Sequence, residues 1–431
     1  MCRVRQAENL TLHLIKTDRY RYLDEGTDRI ERNGIYQYTE KEAKALGRPE
    51  LKDKGYFDFF AMNVLLVKSG LQALGMMGWK PDVVHCHDGH AALWPLIAQA
   101  SEEGVDHSLA HVPCVLTIHN AGTGYHQEVA NVDFAATLCG VPWYVADGCK
   151  LDDKFDPLLA GGIFSQAINT VSENYARELQ STGQDALTGW LGHAFVARGI
   201  PMSGITNGVD PEAFNPRNAD RLGLAAPFSP IDGDLDGKEI CKRSLLEELS
   251  RGEVPKTIEL HGNVSYKKDA PLFSFVSRLG SQKGMDVLVD TFEEVLAETP
   301  DAQLIGLGSG GDRKIEERFK MLAHAFSGRV CIAFGYSTEL AQKVYAAGDF
   351  FLIPSRYEPC GLTDFYAQLA GNVPIVHRVG GLVKTLDGAF GFSYLGGKRE
   401  LLETVARALE AYRKPNRAML REIQVNAAKN V

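Results

Sequence analysis

Positive charge is in short supply. The 431 residues carry 46 Lys and Arg against 55 Asp and Glu, a formal net charge of −9. A nucleic-acid-binding surface is normally basic, so the balance argues against that class of partner. Also missing is a long uninterrupted apolar run. The most apolar long segment, residues 56–74, is broken by Asp58 and Lys68 and has helical periodicity, which predicts a core helix and no membrane partner. The opening residues 1–6 lack the apolar core of a signal peptide. Eight cysteines are scattered with no C-x-x-C pair. That points to reduced thiols in a cytoplasmic chain rather than to a disulfide framework. What the chain does have is length and apolar content. Hydrophobic residues make up 45% of it, enough for two domains with substantial cores.

Taken in order, Leu10–Ile15 alternates like a strand, and a polar loop is expected through about Arg48. Phe60, Val64, Val67, Leu71 and Leu74 mark one helix face. Apolar runs at 81–87, 112–119, 167–171 and 203–206 read as strands, each closing on polar residues: His87, His119 with Asn120, Ser172, Asn207. Residues 211–237 are rich in Pro, Gly, Asp and Asn and read as a connection. Strands are expected again at 272–276, 303–307, 330–334, 350–353 and 374–377. Between them lie helical stripes such as Met285, Leu288, Val289, Phe292 and Leu296. The alternation predicts two doubly wound α/β domains, 1–210 and 238–431, joined by 211–237. In such sheets the ligand crevice lies at the carboxyl ends of the strands.

The segment 354–362, PSRYEPCGL, links the strand at 350–353 to a helix whose stripe is Leu362, Phe365, Tyr366 and Leu369. A helix start offers unpaired N–H groups and partial positive charge, a seat for phosphate or sugar oxygens. Glu358 stands just before it and can accept hydrogen bonds from ligand hydroxyls. A strand–helix turn with a solvated Glu fits the same residues. Between the strand at 272–276 and its helix lie Arg278 and Lys283, a guanidinium and an ammonium suited to a diphosphate, or else two solvated cations. Together with Glu358 the first reading is preferred. The run GLGSGG at 306–311 matches G-x-G-x-x-G, but no acidic residue follows about 20 positions on, so it argues for a close-approach turn rather than a dinucleotide site. His85, Cys86 and His87 look like a metal cluster, yet on a strand Cys86 faces away from the two histidines. Asp232, Asp234 and Asp236 begin like a calcium loop whose twelfth position is Arg243, not Glu. No metal is expected at either place. His119, at a strand tip, could serve a sugar hydroxyl or a developing charge, or be an ordinary core histidine.

The chain resembles the glycogen and starch synthases. The resemblance is colinear over nearly its whole length: DVVHCHD at 82–88, TIHN at 117–120, INTVS at 168–172, GITNGVD at 204–210 and DLDGKEICK at 234–242. It continues with SRL at 277–279, QKG at 282–284, PSRYEPCGL at 354–362 and RVGGL at 378–382. The resemblance implies a retaining glucosyltransferase of the GT-B fold, with two Rossmann-like domains facing a cleft and the donor held mostly by the second. It implies a nucleoside-diphosphate glucose as donor, read here as ADP-glucose although stacking on an aromatic tolerates adenine and uracil alike, a glycogen or starch α-1,4-glucan as acceptor, and no cofactor or metal. By motif, Arg278 and Lys283 would hold the diphosphate and Glu358 the donor glucose. Cys360, Gly361, Leu362 and Thr363 would surround phosphate and sugar, and Tyr336 would stack on the base. His119 would lie near the anomeric centre, and Asp88, Asn120 and Asn207 would be cleft residues.

Four departures qualify these expectations. The family's Lys-x-Gly-Gly-Leu loop and opening strands have no counterpart near Met1, so the first domain is expected to be N-terminally incomplete and to call for a complementing segment. Gly89 stands where the family often has Trp. Residues 121–126 stand where an aromatic–Gln–Gly acceptor loop is usual. The chain's C-terminus falls near a helix that the family returns to the first domain. A UDP-glucose-dependent GT-B transferase and a catalytically impaired glucan-binding chain are the rival readings. Tyr366 favours the glucan synthases over the first rival, since many other retaining GT-B families carry Glu at that position.

Overall fold

A computed structural model describes residues 2–7, 10–15, 40–45, 47–52, 59–102, 107–413 and 417–431. By internal contacts the chain divides into one unit of residues 1–171 and 176–205, and another of residues 172–175 and 206–431.

The first unit carries a four-stranded parallel sheet in the order Val84–His87, Cys114–Ile118, Ala167–Thr170, Met202–Gly204. The first three fall within the segments whose apolar runs predict them, and the fourth overlaps the expected 203–206 but starts and ends earlier. The expected strand at Leu10–Ile15 pairs antiparallel with Cys2–Ala7 in a separate hairpin. Most of the polar loop expected between them and Arg48 lies outside the described residues, but Glu40–Ala45 is helical. Helix Phe59–Met77 turns Phe60, Val64, Val67 and Leu71 into a core with Leu93, Leu96 and Ile97. Among the described residues it is the one helix long and apolar enough to cross a bilayer by length and composition. Here its apolar face is packed against protein. After His87 come two helices, a short one at Asp88–Ala91 and Trp94–Ala100.

The second unit carries a seven-stranded sheet. Its order is Phe392–Tyr394, Val373–His377, Phe350–Ile353, Leu272–Leu279, Gln303–Gly311, Arg329–Phe334, Glu259–Val264, and only the last strand runs antiparallel. From Leu272–Leu279 the chain adds strands on one side and then, with Phe350–Ile353, starts afresh on the other. That reversal opens a crevice between the carboxyl ends of these two strands. Strand residues Phe273, Phe275, Leu304 and Phe350 pack with Leu288, Phe292 and Phe319 from the helices into a dry core. The stretch expected as a connection folds onto this unit. It forms helix Ala219–Leu222 and the turn Pro230–Asp232, and buries Phe228 against Cys241 and Ala346.

Candidate functional site

The turn after strand Leu272–Leu279 and the loop after strand Phe350–Ile353 meet at the reversal point. Gly284 lets them do so, and Gly380 seats the loop after strand Val373–His377 against the second of them. Gly284 has φ +67°, and a Cβ there would lie 1.9 Å from the Pro354 carbonyl oxygen. Gly380 has φ +50°, and a Cβ there would lie 2.0 Å from the Glu358 carbonyl oxygen. Any other residue would be strained at either position and would push apart the backbone segments that meet there. Arg356 fastens the two loops. Its guanidinium grips both oxygens of Asp286 at 2.6 and 2.7 Å, and its backbone N–H donates to the Gln282 carbonyl at 2.9 Å. The guanidinium holds the Asp286 carboxyl below the usual carboxylate range, chiefly through those bonds.

Within this frame Lys283 Nζ stands 2.6 Å from Glu358 Oε2, and Ser355 Oγ donates to the same oxygen at 2.9 Å. Both charged side chains are largely buried, at 22% and 14% exposure. Arg278 is exposed, one residue from the end of the strand that leads into the Lys283 turn. It lines a cavity of about 390 Å³ together with Tyr336, Gly308, Gly335 and Tyr366. Tyr336 is 78% exposed, with its ring free to take a flat ligand. Lys283 and Glu358 are not part of that lining. The pair and the cavity both lie at the carboxyl edge of the sheet, with Lys283 five residues after Arg278 on the turn that follows its strand. The glycine run at 306–311, expected as a turn, lies wholly within strand Gln303–Gly311, and Gly308 is its contribution to the cavity.

Helix Leu362–Leu369 begins at Gly361, which has φ +77° and no side-chain cap. Among the described residues, no backbone acceptor stands against the N–H groups of Gly361, Leu362 or Thr363. The Cys360 thiol lies 3.9 Å from the Asn207 carbonyl oxygen, which puts Asn207 beside the same loop.

On the first unit, His119, Asp88 and Asn120 gather at the carboxyl edge of its own sheet. Asp88 holds a left-handed backbone, φ +54°, and its carboxylate accepts the His119 backbone N–H at 2.7 Å. A non-glycine residue so placed is strained, as is common where a side chain is aimed for function. His119 Nε2 is 2.9 Å from His87 Nδ1, and the His87 ring lies against that of His85, with centroids 4.3 Å apart. Partial burial, then the neighbouring imidazoles, lower the pKa of His87. Among the described residues no group of His, Cys, Asp and Glu is arranged to hold a metal ion. Asn120 accepts the Gly122 N–H at 2.8 Å and so shapes the following loop. Gly89 is buried beneath that loop, where a Cβ would meet the His126 carbonyl oxygen at 2.8 Å. The two departures at 89 and 121–126 are therefore one packing solution: this loop leaves no room for a larger side chain at 89.

Sequence reasoning assigned no role to Arg356, Asp286, Ser355, Asp364 or Lys384. Arg356 and Ser355 lie inside the quoted motif. Lys384 and Asp286 had no signal beyond proximity to one.

Comparison with known proteins gives a consistent result. The starch synthase catalytic domain family matches residues 2–193, and glycosyl transferases group 1 matches residues 270–411. A glycogen synthase of Myxococcus xanthus is 37% identical over 356 residues, covering 80% of this chain and 68% of its own. One from Geobacillus stearothermophilus is 30% identical over 408 residues, covering 91% and 77%. Among solved structures, the catalytic domain of starch synthase IV from Arabidopsis thaliana, bound to ADP and acarbose, aligns with TM-score 0.74 and 25% identity over 87% of this chain and 75% of that one. Sucrose-phosphate synthase from Thermosynechococcus elongatus shares the fold at TM-score 0.53 and 16% identity, over 88% of this chain and 75% of its own.

Proposed function

The chain belongs to the glycogen and starch synthase family, retaining GT-B glycosyltransferases that extend a glucan from a nucleotide sugar, and on that premise we propose that its donor is ADP-glucose. The product is one more α-1,4-linked glucose at the non-reducing end of the acceptor. The observation that carries this reading is the Lys283–Glu358 pair at the sheet's reversal point, beside a cavity of nucleoside size. Tyr336 stacks on the base and the cavity takes the nucleoside. Arg278, Lys283 and the N–H groups of Gly361 to Thr363 face the diphosphate, where negative charge grows as the sugar leaves. These two cations do the charge work that a divalent metal does in other transferases. Glu358 accepts hydrogen bonds from the donor glucose hydroxyls. Adenine is preferred over uracil because the starch synthase IV relative was solved with ADP.

The test is incorporation of labelled glucose into a glycogen primer from ADP-glucose and from UDP-glucose side by side, with and without a divalent-metal chelator. Faster incorporation from ADP-glucose, unchanged by chelator, is expected. Faster incorporation from UDP-glucose overturns the donor assignment, and loss of activity with chelator overturns the division of charge work. Tyr336→Ala should raise KM for the donor by about 5- to 150-fold with a smaller change in kcat, as loss of about 1–3 kcal/mol of base stacking requires. Steady-state kinetics at saturating primer checks it.

A further inference from the structure

Lys384 makes a set of contacts that no role above uses. Its ammonium donates to the carbonyl oxygens of Cys360 at 2.6 Å, Gly361 at 2.8 Å and Gly381 at 3.2 Å. It also stands 3.1 Å from Asp364 Oδ1 and 4.4 Å from the centre of the Phe365 ring. Its side chain is only 17% exposed, and Asp364 is fully buried in the first turn of helix Leu362–Leu369. Three backbone carbonyls converging on one buried ammonium is a built arrangement, not a surface contact.

The geometry of the peptide bond gives it a consequence. In a trans peptide the C=O and the following N–H point in opposite directions. Drawing the Cys360 and Gly361 carbonyls to Lys384 therefore turns the Gly361 and Leu362 N–H groups to the other side of the loop. Those N–H groups have no backbone acceptor among the described residues. They are donors at the helix start, where an anion is favoured. Asp364 works the other way, since a buried carboxylate in the first turn opposes a second anion nearby. Lys384 offsets it, and Thr385 Oγ1 donates to its other oxygen at 3.0 Å. Burial pushes the Asp364 carboxyl up to about 6 despite the lysine.

We propose that Lys384 is a positioning residue for the donor diphosphate, which it serves through the loop: it aims the Gly361 and Leu362 N–H groups at the phosphates and neutralises Asp364 behind them. The proposal rests on the reading of residues 360–363 as the phosphate seat. The Lys384 ammonium is spent on the loop carbonyls and Asp364, so its effect is confined to the phosphate end of the ligand.

The experiment compares ADP with adenosine. Lys384→Met should weaken ADP binding about tenfold, the scale of one to two lost net hydrogen bonds, and leave adenosine binding unchanged. Calorimetry reads the first and ligand-observed NMR the second. Donor KM should rise with ADP affinity, and Lys384→Arg, which keeps the cation, should recover part of the loss. Because Lys384→Met strands a buried carboxylate, the double variant Lys384→Met/Asp364→Asn is run beside it. It should regain melting temperature yet keep weakened ADP binding, because the carbonyls are still unheld. Unchanged ADP affinity in either variant, or equal weakening of ADP and adenosine, overturns the proposal. Should the unsubstituted protein take UDP and not ADP, the donor assignment alone fails, and the comparison is made with UDP and uridine.

Discussion

Glu358→Gln is expected to lower kcat for glucose transfer by about 10²- to 10³-fold, the scale seen when one preorganised electrostatic contact is removed from a transition state. The substitution is nearly isosteric. The amide oxygen that replaces the carboxylate could still accept from Ser355 Oγ and Lys283 Nζ, the present partners at 2.9 and 2.6 Å. Its stability cost should stay near about 1 kcal/mol, that of one charge-assisted bond made neutral. What it loses is full negative charge. In the ground state that charge strengthens the bonds from sugar hydroxyls. As the glycosidic bond to phosphate lengthens, those hydroxyls grow more acidic beside a carbon gaining positive charge, and the same bonds tighten. An interaction stronger in the transition state than in the ground state lowers kcat, when lost, rather than raising KM. Lys283→Met should differ in kind. It removes a cation from the diphosphate and leaves Glu358 with one partner fewer, so KM and kcat both suffer. Rates within a few-fold of the unsubstituted enzyme for Glu358→Gln, with an unchanged melting curve, would remove the carboxylate from the chemistry.

Which parts of this were visible in the sequence follows from how each part is encoded. Strands such as Phe350–Ile353 are buried on both faces and announce themselves as apolar runs. Edge strands do not. Glu259–Val264 reads ELHGNV, with Gly262 at φ +76° and only Val264 fully buried, and nothing in that string signals a strand. It is strand because Arg329–Phe334 offers it an open edge. Phe392–Tyr394 is too short to show a period. Residues 211–237 have the composition of a linker, yet Phe228 finds a buried place that composition cannot reveal. The same division holds at the site. Glu358 and Lys283 were legible because each sits in a strand–loop–helix motif whose chemistry is local. Their meeting at 2.6 Å fits the reversal of strand order, a consequence of topology that the strand pattern predicts. Lys384 was not legible, because its partners are carbonyls 23 and 24 residues away, and a carbonyl has no letter in the sequence. Arg356 was quoted without a role for a related reason: Asp286 lies 70 residues back on a helix whose apolar stripe alone was read.

The second large effect is expected on stability, at His126. Its ring is 3% exposed. Nε2 lies 2.7 Å from the Ala121 carbonyl oxygen, which can only accept, so Nε2 carries a hydrogen. Nδ1 lies 2.6 Å from Asp156 Oδ2. With both nitrogens facing acceptors, the ring is held as an imidazolium. Burial works against that charge, but the Asp156 carboxylate and the Ala121 carbonyl outweigh it, and the pKa of His126 is raised. Asp156 is equally buried, and its other oxygen caps helix Pro157–Phe164 through the Leu159 N–H at 2.9 Å. His126 thus pins the 121–126 loop to a helix start. His126→Leu would leave Asp156 buried without its cation, which should cost about 3–5 kcal/mol, a large share of a typical domain's stability of about 5–15 kcal/mol. The sign with pH follows from the direction of the shift. The folded protein binds this proton more tightly than the unfolded chain, whose value is near 6.5. The stabilisation is therefore whole below pH 6.5 and is lost as pH rises through the folded value. Melting temperature should fall across that window in the unsubstituted protein, and this component of the fall should vanish in His126→Leu. The double variant His126→Leu/Asp156→Asn should recover part of the loss, since neither charge is then left alone. A single variant that melts within a few degrees of the unsubstituted protein, with the same pH slope, would mean that the loop is held by its backbone and not by this pair.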